Sequence, residues 1–227
     1  MLAAVFLNSA FEFCRPMGYN SKAVIIYCVA MPSQLAKILL TGLPGCGKTT
    51  AVIKIIESLA WHGHSFGFAQ DRLGRARAGS PCHLKAAGFY TQEIRQNNVR
   101  KGFSWKRLDG TEGTLAHVDI KGRFKVGKYG VDVEGFDKNV VPVLDIEQTD
   151  ADLFVIDEIG KMECFSKKFT AAVHRLFASD KPVLATVAQK GSGLISEIKN
   201  YPNIQLFTLT IANREKVAAD ILEILSF

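Results

Sequence analysis

The sequence predicts an α/β domain built on a doubly wound, mostly parallel sheet with a small antiparallel β insertion. Three observations carry this prediction. A short apolar segment at 37–41 and a helical apolar pattern at 48–60 flank a glycine-rich loop. A second apolar run, at 153–156, is continuous, as in a strand whose two faces are both buried. From residue 166 onward, helical and strand patterns alternate, which is typical of a parallel sheet covered by helices.

The length and composition indicate one folded domain. The chain has 227 residues, of which 48% are hydrophobic, and this is enough for one substantial core. We expect residues 34–227 to form the domain and residues 1–33 to be an N-terminal extension outside the fold. The apolar patches of the extension are interrupted by charged residues and are too short to span a membrane. Residues 62–85 are rich in Gly, Arg and Ser and lack an apolar period, so we expect a flexible insert there.

The glycine-rich loop fits a phosphate-binding pattern, because residues 42–49 match G-x-x-x-x-G-K-[ST]. Glycines let consecutive backbone N–H groups curl around a phosphate, and the positive end of the following helix adds to the field. Lys48 is expected to act as a catalytic cation on the β and γ phosphate oxygens, and Thr49 to ligate Mg²⁺. The predicted architecture is therefore of the P-loop NTPase type. The residues expected to hold the phosphates are Gly42, Leu43, Pro44, Gly45, Cys46, Gly47, Lys48, Thr49 and Thr50.

The segment at 88–144 predicts the antiparallel insertion. GFYTQEIR (88–95) alternates like a strand, QNNVRKG supplies a turn, and FSWKRLD (103–109) follows as a partner strand. Residues 114–133 indicate further short extended pieces. FDKNVVPVL (136–144) indicates a short helix that is interrupted by Pro142.

Two acidic residues end the apolar run at 153–156. Asp157 and Glu158 would open into the crevice where α/β sheets bind ligands, at the carboxyl ends of the strands. Asp157 is expected to belong to the Mg²⁺ shell. Since neighbouring residues of a strand point to opposite faces, Glu158 is expected to lie on the other face and to orient or deprotonate the attacking water.

The C-terminal third continues the alternation of helices and strands. Ser166 opens a helical pattern at 166–179, PVLATVA (182–188) and IQLFTLT (204–210) predict strands, and residues 213–225 predict a final helix.

Charge and cysteine usage bear on partners and compartment. A net charge of +6 suits a protein that handles polyanions, but no basic run marks a nucleic-acid groove, so nucleic acid stays an unsupported partner. Five cysteines form no C-x-x-C pair, which favours reduced thiols and a cytoplasmic protein. We expect a monomer without membrane association. Cys46 is either an inert residue that packs inward or a redox-sensitive thiol at a helix N-terminus.

The segments GLPGCGKTT, GFYTQEIR, VGKYGVD, GFDKNVVPVL, VIDEIGKMECFS and TIANRE together resemble the THEP1-type nucleoside-triphosphatase family. The resemblance runs from Lys37 to the C-terminus apart from the 62–85 insert. It implies an ATPase-like P-loop fold, a Mg²⁺-dependent site and slow hydrolysis of nucleoside triphosphates such as ATP and GTP with little base preference. It also implies that Asn213 and Arg214 lie near the base.

The residues themselves leave three functions open. The first is a hydrolase, the second is a nucleotide or small-molecule kinase, and the third is a nucleotide-dependent switch or RNA-associated regulator. The guanine-reading tetrapeptide Asn-Lys-x-Asp does not occur, so strict GTP specificity is not expected. The cation that stabilises the transition state is left open among Arg214, Arg95, Lys161 and an arginine from a partner.

Overall fold

A computed structural model describes residues 36–64 and 84–225, without the side chains of residues 60–64. The elements are β1 (Lys37–Gly42), α1 (Lys48–His64), β2 (Ala86–Gln96), β3 (Val99–Arg107), β4 (Glu112–His117), β5 (Lys125–Val126), β6 (Tyr129–Val131), α2 (Val133–Asn139), a 3-10 turn (Val141–Leu144), β7 (Leu153–Ile159), a second 3-10 turn (Glu163–Phe165), α3 (Lys167–Ala178), β8 (Val183–Val187), α4 (Leu194–Lys199), β9 (Ile204–Leu209) and α5 (Arg214–Leu225).

The described strands form one mixed sheet in the order β5-β6-β4-β3-β2-β7-β8-β1-β9. Strands β2, β7, β8, β1 and β9 pair in parallel, and this part of the sheet confirms the predicted α/β class. The antiparallel part is larger than the small insertion that the sequence predicts. Strands β3, β4, β6 and β5 continue the same sheet beyond β2 through antiparallel pairs.

Helices cover both faces of the parallel part, as expected for a doubly wound sheet. Alternate residues of each central strand therefore enter two different cores. In β7, Val155 packs with residues of α1 and α5, whereas Phe154 packs with residues of α2, α3 and α4. Burial on both faces explains why β7 is apolar without a period of two.

Local signals in the sequence explain several element boundaries. The turn between β2 and β3 is formed by Asn97 and Asn98, both at positive φ, which is the geometry of a tight hairpin. Ser166 caps α3, because its Oγ accepts the N–H of Phe169 at 2.8 Å. Pro142 lies in the 3-10 turn after α2, as predicted. Helix α4 was not predicted, because its six residues are too few to establish a helical period.

The ends of the predicted insert are regular structure. Helix α1 continues through residues 62–64. At the other end, the Lys85 carbonyl accepts the N–H of Asp152 at 2.8 Å and Leu84 packs on the core. Regular structure thus reaches into both ends of the 62–85 segment, whose flexibility stays a prediction. The rest of the insert and the whole 1–33 extension lie outside the described residues. Within the described part, every helix is too short or too polar to cross a lipid bilayer.

Candidate active site

The phosphate-binding loop leaves the sheet at the carboxyl end of β1. Gly42 lies so close to β9 that a Cβ there would stand 2.4 Å from the Leu209 carbonyl oxygen, so only glycine fits. Gly45 and Gly47 have φ of +79° and +98°, a region that side chains other than glycine rarely adopt. Helix α1 begins directly after the loop, with the Ala51 N–H donating to the Gly47 carbonyl at 2.9 Å. The predicted strand, loop and helix therefore follow one another as expected.

The side chains of the loop separate into exposed and buried sets. Leu43, Pro44 and Thr50 are exposed, whereas the Cys46 thiol is buried in the core beneath α1. A Cβ at Gly42 would lie 2.8 Å from the Cys46 sulfur, so the thiol fills the space that the glycine leaves. This position fits the inert interpretation of Cys46.

Asp157 is the most closely held carboxyl group of the site. Its Oδ2 accepts the Thr49 hydroxyl at 2.7 Å, and its Oδ1 accepts the Thr186 hydroxyl at 2.5 Å. Burial raises the pKa of Asp157, while hydrogen bonds from Thr186, Thr49 and the backbone of Thr91 and the positive charge of Lys48 oppose the rise. The predicted pair of Thr49 and Asp157 is thus in direct contact, and a hydroxyl from β8 holds the other carboxylate oxygen.

These oxygens fit a magnesium ion. Mg²⁺ prefers oxygen ligands and is usually held by one or two carboxylates together with phosphate oxygens and water. Thr49 and Asp157 present a hydroxyl and a carboxylate from the two elements that a phosphate-bound ion would touch. The described residues contain no group of three or more His, Cys, Asp or Glu side chains that could hold a metal by themselves. The donor set therefore suits an ion that arrives with a phosphate ligand.

Strand β7 is irregular where Glu158 lies. The pairing of β7 with β8 shifts between Ile156 and Ile159, so a bulge interrupts the alternation of side chains where the two acids lie. Burial raises the pKa of Glu158, the charge of Lys48 lowers it, and Asp157 raises it. Both acids thus lie within electrostatic reach of Lys48. The argument from strict strand alternation assumed an unbroken strand and does not apply here, so the separate roles of the two acids stay a prediction.

Lys48 lies between the loop and the acids. Its Nζ donates to the Gly42 carbonyl at 3.3 Å, and its charge acts on the carboxyl groups of both Asp157 and Glu158. The ammonium group is therefore held at the mouth of the loop, where phosphate oxygens would replace a long hydrogen bond.

Two residues of the site were missed by sequence reasoning. Thr186 belongs to an apolar strand whose place beside β7 cannot be predicted from the sequence. Glu163 is buried in the turn after β7, next to Gly160, where a Cβ would stand 2.7 Å from Glu163 Oε2 and 3.6 Å from Glu158 Oε1. The pKa of Glu163 is raised to about 8, mainly by burial and also by the charges of Glu158 and Asp157. The sequence signal for Glu163 is its position five residues after Glu158, in the segment DEIGKME.

Asn213 and Arg214 lie beside the loop but differ in what they can contact. The Asn213 side chain is used within its own turn: Oδ1 accepts the Thr210 N–H at 2.7 Å, and Nδ2 donates to the Thr208 carbonyl at 3.0 Å. The Arg214 side chain extends along Gly47, where a Cβ would lie 3.6 Å from its Cδ. Arg214 can therefore reach the loop, whereas the amide of Asn213 shapes the chain after β9.

The three candidate cations occupy different places. Arg95 donates from Nε to Glu93 at 2.8 Å and from Nη1 to the Asn98 carbonyl at 3.1 Å, so its guanidinium belongs to the β2–β3 hairpin. It also lies five residues beyond Tyr90, the partner of Asp157, which is roughly 16 Å along the strand. Lys161 is exposed beside Gly160 and has no ion pair among the described residues. Lys161 and Arg214 thus remain as candidates within this chain.

The chain is similar to known nucleoside-triphosphatases. A family model described as NTPase matches residues 76–222. The nucleoside-triphosphatase THEP1 of Thermotoga maritima is 36% identical over 191 residues, which cover 84% of this chain and 96% of the relative. The protein of the same name from Methanocaldococcus jannaschii is 38% identical over 186 residues, covering 82% of this chain and 95% of the relative.

Solved structures give the same result. The crystal structure of THEP1 from the hyperthermophile Aquifex aeolicus matches with a TM-score of 0.66 and 32% identity, covering 84% of this chain and 99% of that chain. The solution structure of a human cancer-related nucleoside triphosphatase matches with a TM-score of 0.64 and 33% identity, covering 84% and 97% of the two chains.

Proposed function

Because the chain belongs to the NTPase family that includes the THEP1 nucleoside-triphosphatases, we propose that it hydrolyses nucleoside triphosphates to diphosphates and inorganic phosphate. The reaction would depend on Mg²⁺ and would accept ATP, GTP and other bases. One observation carries the proposal: Lys48, Thr49, Asp157 and Glu158 meet at the carboxyl ends of the parallel strands, around a loop shaped for phosphate.

The phosphates would be held by the loop. Backbone N–H groups at Gly45 and Gly47 and the N-terminus of α1 would face the β phosphate, since this is where such loops concentrate positive potential. The Lys48 ammonium would give up its hydrogen bond to the Gly42 carbonyl and donate to the β and γ phosphate oxygens instead. The negative charge that develops during phosphoryl transfer would then lie next to a preorganised cation.

Thr49 and Asp157 are the residues that would hold Mg²⁺. When bound, the ion neutralises charge on the β and γ oxygens. Thr186 would keep the Asp157 carboxylate turned toward Thr49, because its hydroxyl occupies the other oxygen at 2.5 Å.

Glu158 would act on the water. The water oxygen attacks the γ phosphorus, the bond from that phosphorus to the bridging β–γ oxygen breaks, and the proton of the water passes to the Glu158 carboxylate. The raised pKa of Glu158 supports this role, because it makes the carboxylate a stronger base than an exposed glutamate.

Two observations support broad base specificity. The guanine-reading tetrapeptide Asn-Lys-x-Asp does not occur in the sequence. The amide of Asn213, which lies in the turn beside the loop, already bonds to the backbone at Thr208 and Thr210.

We also propose a cytoplasmic location, because Cys46 and Cys164 are free thiols in the described part of the chain.

A phosphate-release assay tests the proposal. ATP, GTP, CTP and UTP are each incubated with the full chain, with Mg²⁺ or with a chelator, and phosphate and diphosphate are measured together. We expect equal amounts of the two products from all four substrates with Mg²⁺, and a loss of at least a hundredfold with the chelator. Phosphate transfer that requires an added acceptor would instead show a kinase, and hydrolysis of one nucleotide alone would contradict broad specificity.

A further inference from the structure

The rim of the phosphate-binding loop carries two exposed aliphatic side chains. Ile211 is 72% exposed and Leu43 is 64% exposed, and they are the two most exposed large apolar residues in the described part of the chain. Single exposed aliphatic side chains are common on protein surfaces, so their exposure alone assigns no role. Their place beside the phosphate-binding loop is what carries the argument.

The two residues leave neighbouring strands at the same level of the sheet. Gly42, the last residue of β1, pairs in parallel with Leu209, the last residue of β9. Adjacent strands lie about 4.8 Å apart, so the chain segments that follow Gly42 and Leu209 emerge side by side. Leu43 is the first residue after β1, and Ile211 is the second after β9.

The strand order determines where the nucleoside must lie. The reacting end of the triphosphate belongs next to Asp157 and Glu158 on β7, and the order across this region is β7-β8-β1-β9. A phosphate chain that crosses the loop at the end of β1 with its γ phosphate toward β7 therefore has its α phosphate toward β9. Arg214, which lies along Gly47, is on this same side. The nucleoside then leaves the loop where Leu43 and Ile211 are exposed.

We propose that Leu43 and Ile211 form an apolar base platform on which the face of the nucleotide base rests, whichever base it is. The proposal depends on the proposed function only for the direction of the phosphate chain. All bases share an apolar π face and differ at their hydrogen-bonding edges, so contact with aliphatic side chains does not distinguish them. The amide of Asn213, two residues after Ile211, is already hydrogen-bonded to the backbone at Thr208 and Thr210.

Binding of diphosphates tests the platform separately from hydrolysis. Calorimetric titrations with ADP, GDP, CDP and UDP are compared with pyrophosphate, which has the same charged groups and no base. The variants are Ile211→Ala, Leu43→Ala and the matched control Val99→Ala, which shortens an aliphatic side chain that is 52% exposed at the start of β3. Circular dichroism confirms that each variant is folded.

We expect Ile211→Ala to lower the affinity for each of the four diphosphates by about tenfold, and the four losses to agree within a factor of about three. A tenfold change corresponds to about 1.4 kcal/mol, as expected when part of an apolar contact is lost. Leu43→Ala should also weaken binding of the four diphosphates. The affinity of Ile211→Ala for pyrophosphate, and every affinity of Val99→Ala, should change by less than about twofold. Unchanged diphosphate affinities, or an equal loss of pyrophosphate affinity, would overturn the proposal, as would a loss confined to one base. Failure of the proposed function would appear differently, as diphosphate binding without any hydrolysis of triphosphates by the parent.

Discussion

Glu158→Gln is the substitution that separates hydrolysis from binding. The change keeps the size of the side chain and one acceptor oxygen, and it removes the basic carboxylate that lies within reach of Lys48. A general base contributes about 10²- to 10⁴-fold, which is about 3 to 5 kcal/mol of the barrier. We expect hydrolysis to fall by this factor while the affinity for triphosphate changes little, because the loop, Lys48 and Thr49 hold the phosphates.

The assay is single-turnover phosphate release beside a titration with a fluorescent triphosphate. Glu57→Gln, at an exposed position of α1, is the matched control and should keep the parental rate. Asp157→Asn should behave differently from Glu158→Gln. It disturbs the acceptor of both Thr49 and Thr186, so it should raise the Mg²⁺ concentration needed for half-maximal rate as well as lower the rate.

The pH dependence gives a second measure of the same carboxyl group. A base must be deprotonated to act, and burial raises the pKa of Glu158 above the value of 4.5 for an unperturbed glutamate. The rate of the parent should therefore fall with decreasing pH at values above 4.5, and this decline should be absent from the residual rate of Glu158→Gln. Hydrolysis by Glu158→Gln at the parental rate would refute the assignment and place the activation of water elsewhere.

Four further substitutions have defined outcomes. Lys48→Ala should reduce phosphate release at least about a hundredfold, as expected for one preorganised charge, and a parental rate would contradict the loop assignment. Thr186→Val removes a hydrogen bond to a buried carboxylate and should lower the free energy of unfolding in urea by about 2 kcal/mol, so an unchanged midpoint would contradict it. Burial raises the pKa of Glu163 to about 8, so the folded protein keeps a proton that the unfolded chain has lost. The parent should therefore lose stability as the pH rises from 4.5 to 8, and Glu163→Gln should lack this loss. Burial lowers the pKa of Lys37 to about 8, so the parent should gain stability as the pH rises from 8 to 10.5. If the urea midpoint of Lys37→Met changed with pH in the same way as that of the parent, the prediction would be contradicted.

The features that the sequence predicted are those encoded by neighbouring residues. The phosphate loop depends on glycines at positive φ within eight residues, and the Ser166 cap depends on an acceptor three residues before its donor. Strand β7 was predicted because burial on both faces leaves a continuous apolar run. In each case the residues that determine the structure lie within a few positions of one another, so a sequence pattern can detect them.

The features that the sequence did not predict depend on pairing between distant segments. Thr186 reaches Asp157 because β8 lies between β1 and β7. The order of strands in a parallel sheet cannot be predicted from the sequence of any one strand. The shift in the register of β7 against β8, where Asp157 and Glu158 lie, also arises from pairing between distant segments. The occupied amide of Asn213 depends on the turn after β9, so the resemblance that implied its place near the base could not show that its hydrogen bonds are already made.

The two ends of the site differ in how firmly the fold holds them, and this difference bears on specificity. At the phosphate end, Asp157 is fixed by hydroxyls from α1 and β8, so its position follows from the register of three elements. At the proposed nucleoside end, Leu43 and Ile211 lie on turns and offer aliphatic surface, and the nearby Asn213 amide is already hydrogen-bonded to the backbone. A site built this way discriminates strongly on phosphate charge and geometry, since a misplaced phosphate loses charge-assisted contacts. It would discriminate weakly on the base, since an apolar contact rejects no hydrogen-bonding pattern. The proposed broad base specificity would then follow from where the fold places its buried polar groups, and introducing a hydrogen-bonding side chain at Ile211 is the change expected to narrow it.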